Sequence, residues 1–73
     1  MYKKINKVTA KKMFLEGIAI RLATSKVNPM SMFGVTIRKT TEETEQEFDK
    51  KINEFAYYNC NAELGQRVCY YVE

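Results

Sequence analysis

Histidine and tryptophan are absent from this 73-residue chain, proline occurs once, glycine three times and cysteine twice. The lack of histidine removes the commonest general base and the commonest metal ligand. Cys60 and Cys69 are too few for a disulfide framework, and their separation fits no zinc-binding pattern. Gly17, Gly34 and Gly65 are scattered, so no glycine-rich loop exists to cradle a phosphate. Long apolar runs are missing too. The best stretch, Met13 to Ala23, is interrupted by Glu16, Gly17 and Arg21, far short of the ~20 residues that span a bilayer and too broken for a signal-peptide core. No membrane association is expected. Without an export signal the expected compartment is the cytoplasm, where both cysteines stay reduced.

Catalytic constellations are equally scarce. Neither cysteine has a histidine to activate it, and Ser25-Lys26 and Ser31 lack the spacing of a serine–lysine pair. The carboxylates of Glu42, Glu43, Glu45, Glu47 and Asp49 crowd one helical segment instead of facing each other across a cleft. The chain reads as non-enzymatic, with no cofactor and no metal.

Apolar residues make up 45% of the chain and charged residues 29%, a composition that folds instead of staying disordered. The length suits one small domain over residues 1–73. A net charge of +3 hides a strong asymmetry: residues 1–39 carry +8 and residues 40–73 carry −5. Much of the acidic half belongs to the start of a helix, where the dipole favours it. The basic half has no such explanation.

Periodicity places the elements. Residues 2–8 suit a short edge strand. Thr9 is a candidate N-cap for a helix over 10–16, and Gly17 follows where a left-handed C′ residue belongs. Ile18–Ala23 alternates with period 2, sending Ile18, Ile20 and Leu22 to one face and Arg21 to the other. Phe33–Lys39 alternates likewise, with Phe33, Val35 and Ile37 inward. Thr40 with Glu43 matches a capping box. Phe48, Ile52, Phe55 and Ala56 then form the apolar stripe of a helix over about 42–58, with Asn59 or Asn61 as its left-handed stop. A turn at Gly65 leads to a last strand, Arg67–Val72.

These elements predict an α+β fold. A small three-stranded antiparallel sheet, extended by an N-terminal edge strand if residues 2–8 pair, is covered on one face by the long helix, with a short N-terminal helix beside it. The order (β)αββαβ invites a ferredoxin-like arrangement. That arrangement puts the first strand in the centre, which Lys3, Lys4, Asn6 and Lys7 do not suit. Ile18–Ala23, the most apolar strand, belongs in the middle.

Two surfaces can carry function. The connection 24–34 holds Val27, Met30, Met32 and Phe33, and adaptable methionines such as Met30 and Met32 suit an irregular protein partner. Alternatively Lys3, Lys4, Lys11, Lys12, Arg21 and Arg38 form a nucleic-acid surface, with Arg21 and Arg38 on the open sheet face beside Arg67 or Tyr71. Protein binding needs fewer special features and is the preferred reading. In Tyr57-Tyr58-Asn59-Cys60-Asn61, one tyrosine is expected to close the core stripe and the other to face outward.

The sequence layout also carries a likeness. The basic start, the turn at Glu16-Gly17, Ser25-Lys26, Phe48-Asp49, the segment Phe55-Ala56-Tyr57-Tyr58-Asn59-Cys60-Asn61, Leu64-Gly65 and an aromatic last strand resemble a group of short uncharacterised proteins. These are encoded in phages and conjugative elements of Gram-positive bacteria. The resemblance implies a bacterial cytoplasmic setting and an accessory role, and it transfers no functional residues.

Overall fold

Asn6 is extended (φ −86°, ψ 169°), and its side-chain oxygen accepts the Thr9 N–H at 2.8 Å. Asn6, not Thr9, is therefore the N-cap, and α1 spans Lys7–Leu15, starting earlier than the apolar spacing suggested. The computed structural model describes residues 2–25, 34–40, 44–60 and 62–73. Glycine ends α1 as expected. Gly17 takes φ 89°, its N–H reaches Phe14 O at 3.0 Å, and the Ile18 N–H reaches Met13 O at 3.0 Å. This pair of bonds satisfies carbonyls that the last turn leaves open. It also takes Ile18 out of the following strand, so β2 covers Ile20–Thr24. Lys39 closes the same end by donating to Leu15 O at 3.3 Å.

Four strands form one antiparallel sheet. β1 is Lys3–Ile5, β3 is Val35–Ile37 and β4 is Val68–Val72. Their order is β1-β4-β2-β3. The N-terminal segment is an edge strand, and β2 lies inside the sheet between β4 and β3. Because β1 is at an edge, the order departs from the ferredoxin-like one. β1 and β2 flank β4 and are joined over the sheet by α1; β3 and β4 flank β2 and are joined by α2, Thr44–Asn59. Each β–α–β unit thus encloses a strand of the other.

Both helices cover the same face. Phe14 of α1, Phe48, Ile52 and Phe55 of α2, and Ile20, Leu22, Ile37, Tyr70 and Val72 of the sheet share one core. The rings of Phe14 and Phe48 meet edge to face at 5.2 Å, and Phe48 stacks on Tyr70 at 6.4 Å. The Lys11 ammonium and the Asp49 carboxylate, 3.6 Å apart, link the two helices outside the core.

Some local expectations change. Glu43 lies outside the described residues, and the Thr40 N–H donates instead to the Glu47 carboxylate, at 2.9 and 3.1 Å to its two oxygens. The Thr40 hydroxyl donates to the same group. Among the described residues no non-glycine has a positive φ, so Asn59 is not a left-handed stop. Its side-chain amide donates back to Phe55 O at 3.1 Å. Asn61 and Phe33 are outside the described residues. The turn at Gly65 does take a positive φ, 71°.

Candidate functional site

α2 packs on α1 and β4. Between α2 and the edge strand β3 lies an open groove of about 630 Å³. Its floor is apolar: Leu22, Val35, Ile37 and Phe55. Leu22 and Phe55 belong to the core, whereas Val35 is 43% exposed although its side faces the helices. The sequence expectation put Val35 on the inward face, which it does occupy without being covered. The shift of α2 toward α1 leaves it bare.

One side of α2 forms the rim. Glu47, Lys51, Glu54 and Tyr58 recur at the i, i+4, i+7, i+11 spacing of a single helix face. Lys51, Glu54 and Tyr58 line the groove, facing Arg38 just past β3. Glu47 is held by Thr40 and stands 3.9 Å from Lys51, so the rim is braced at the start of α2. At the other end both tyrosines leave the core: Tyr57 is 81% exposed and Tyr58 78%. Their rings meet at 5.0 Å and 88°. The expectation that one of them closes the core is thereby corrected. Tyr57 lies opposite the Phe48–Ile52–Phe55 stripe and Tyr58 on its flank, so neither points inward.

The sheet face away from the helices carries a second arrangement. Lys4 pairs with Tyr71, Tyr71 with Arg21, and Arg21 with Thr36. Directly paired residues share a face, so a central tyrosine is flanked by two cations in one row. The Arg21 guanidinium donates to Thr36 Oγ1 at 3.1 Å, lies against Gly34, and stands 6.0 Å from the Tyr2 ring centroid. A Cβ at position 34 would come within 3 Å of the guanidinium, so a larger residue there would require the Arg21 side chain to move aside.

The six expected basic residues do not converge. Lys4 and Arg21 share the far face. Lys3 pairs with Val72 and so lies on the helix side of β1. Lys11 and Lys12 are on α1, across the sheet, with Lys11 paired to Asp49. Arg38 follows the end of β3 and lines the groove. Met30 and Met32 lie outside the described residues.

Cys60 is half-buried beside the core and Cys69 is buried; both are free thiols. Burial raises the Cys60 thiol above its ordinary range, and neighbouring Cys69 adds to the effect. Tyr70 and Tyr71 are likewise raised by burial first and by Cys69 second. Such a thiol stays protonated near neutrality and is a poor nucleophile. Among the described residues no group of three or more Cys, Asp or Glu is placed to hold a metal, and no helix is long and apolar enough to cross a membrane. No protein-family model matches the chain, and comparison with curated proteins and with solved structures finds no match either.

Proposed function

We propose that the chain is a non-enzymatic accessory or regulatory module that acts by binding a protein partner through the groove between β3 and α2. The observation that carries this reading is the groove itself: an apolar floor, a charged rim and the exposed Tyr58 at one end, with Tyr57 against it on the outer side of α2. Protein interfaces are built this way, with aromatic and arginine anchors around an apolar centre. The proposed setting is the bacterial cytoplasm, in a mobile genetic element, for which the support is the layout around Tyr57-Tyr58-Asn59-Cys60-Asn61. Capture from a Gram-positive lysate, with and without nuclease, tests the reading. A protein partner should survive nuclease and be lost with a Tyr57→Ser/Tyr58→Ser variant. Capture that vanishes with nuclease contradicts it.

The row Lys4–Tyr71–Arg21 supports a second reading, a small nucleic-acid-binding protein, because an aromatic flanked by cations on a sheet can stack a base and neutralise its phosphates. It ranks second because the remaining expected lysines lie elsewhere. Titration of labelled single-stranded oligonucleotides near 0.15 M salt tests it, with submicromolar binding as the reversing result.

A further inference from the structure

β4 runs on past the end of β1. β1 stops at Ile5, opposite Tyr70, while β4 begins at Val68. On its other side β4 follows β2, and the ladder continues one step further, where the Ser25 N–H donates to Arg67 O at 2.9 Å. Successive residues of an antiparallel strand turn their backbone groups to alternate sides. Arg67 therefore faces β2, and Val68 turns its N–H and C=O the opposite way. There the chain has already left the sheet to start α1 at Lys7.

A hollow of about 500 Å³ opens at that point, a size typical of small-molecule sites, which run to ~300–1,000 Å³. The charge around it has one sign. Lys4, Lys7 and Arg67 line it together with Asn6 and Ser25, and among the described residues no carboxylate does. None of the three cations is in an ion pair with a described residue. The first turn of α1 holds no acid, so nothing there offsets the positive end of that helix. Ser25 Oγ accepts the Arg67 N–H at 3.2 Å, which leaves its own proton as a donor. Like charges gathered in this way repel one another until an anion enters.

We propose that this hollow binds a terminal phosphate group carried by a small molecule. Three cations around one hollow match the double charge of a phosphate monoester better than the single charge of a phosphodiester. The Val68 N–H and the Ser25 hydroxyl supply neutral donors to its oxygens. The site is separate from the groove between β3 and α2, so it neither needs nor replaces the protein-binding reading. It shares only Lys4 with the row Lys4–Tyr71–Arg21.

The test is an amide NMR titration of the nitrogen-15-labelled protein with methyl phosphate, the monoester, and dimethyl phosphate, the diester, at matched ionic strength. The expected result is a saturable shift of the Val68 amide signal with methyl phosphate and none with dimethyl phosphate. Binding should weaken between about pH 7 and about pH 5, on either side of the monoester's second pKa of about 6. Lys7→Gln and Arg67→Gln should each weaken it by at least about tenfold. Lys12→Gln, on α1 but not lining the hollow, should leave it unchanged. Lys7 and Arg67 are exposed, and Arg67 joins the ladder through its backbone, so the ligand-free variants should melt no lower than wild type. Absence of binding, equal binding of the two esters, or an equal loss in Lys12→Gln overturns the proposal. So does binding of an oligonucleotide without a terminal phosphate that the Lys7 and Arg67 variants abolish, which would assign the hollow to a nucleic-acid backbone.

Discussion

Tyr57 and Tyr58 stand at 88° to each other, ring centroids 5.0 Å apart, with both rings outside the core at the end of α2. A large aromatic surface kept in water contributes little to folding, and Tyr58 lines the groove through which partner binding is proposed. Replacing both by serine should change stability by no more than about 1 kcal/mol. A loss of several kcal/mol in denaturant titration would show that the pair is structural.

Phe55→Ala should behave oppositely. Phe55 is 5% exposed and packs in the shared core. Its truncation should cost about 3–5 kcal/mol, a large part of the stability of a domain this size. A mutant melting within a few degrees of wild type would contradict the assigned helix face.

The N-terminus of α1 gives a sharper test of local structure. Asn6→Ala removes the acceptor for the Thr9 N–H and should cost about 0.5–2 kcal/mol, whereas Thr9→Ala should cost less. The reverse order, measured by thermal melts, would restore Thr9 as the cap.

Much of this fold was legible in the sequence. Period-2 alternation identified β2 and β3, and the Phe48–Ile52–Phe55 spacing identified the buried side of α2. Gly17 marked the end of α1. The misplaced boundaries have one cause: Asn6 and Ile18 act through side-chain and backbone hydrogen bonds, which apolar periodicity does not register. The groove was partly legible as well. Glu47, Lys51, Glu54 and Tyr58 share one helix face, a signal visible without the structure. What sequence could not supply was the lateral position of α2, packed toward α1, which uncovers Val35. The basic residues looked like one cluster because they are close in sequence. The sheet divides them, leaving Lys4 and Arg21 on one side and Lys11 and Lys12 on the other.

That division sets a limit on nucleic-acid binding. Two cations on the far face give a slope of log K against log salt of about −1.4 on single strands. A slope near −3, which takes about four phosphate contacts, together with submicromolar affinity, would show that the lysines act as one surface and reverse the functional ranking.

Alkali should destabilise the protein. Cys60, Tyr70 and Tyr71 are all raised by burial, so the unfolded chain releases these protons first, near about pH 8.5 for thiols and about pH 10 for phenols. Their contribution is complete below those values and is lost as pH rises through them to the folded values. The melting temperature should fall progressively above about pH 9. A rise over that range would contradict the burial of these groups. In the same vein, iodoacetamide at neutral pH should modify native Cys60 more slowly than free cysteine, and both cysteines should react once the chain is unfolded. An intact Cys60–Cys69 disulfide would overturn the assignment of reduced thiols.

Site-specific photo-crosslinking tests whether the groove between β3 and α2 binds a protein. A photoreactive phenylalanine analogue replaces Tyr58 at the groove in one sample and Lys4 on the far face in another, and both are irradiated in Gram-positive bacterial lysate. A discrete, nuclease-resistant protein adduct is expected from position 58 and none from position 4. Adducts from position 4 alone, or adducts removed by nuclease, would contradict protein binding at the groove.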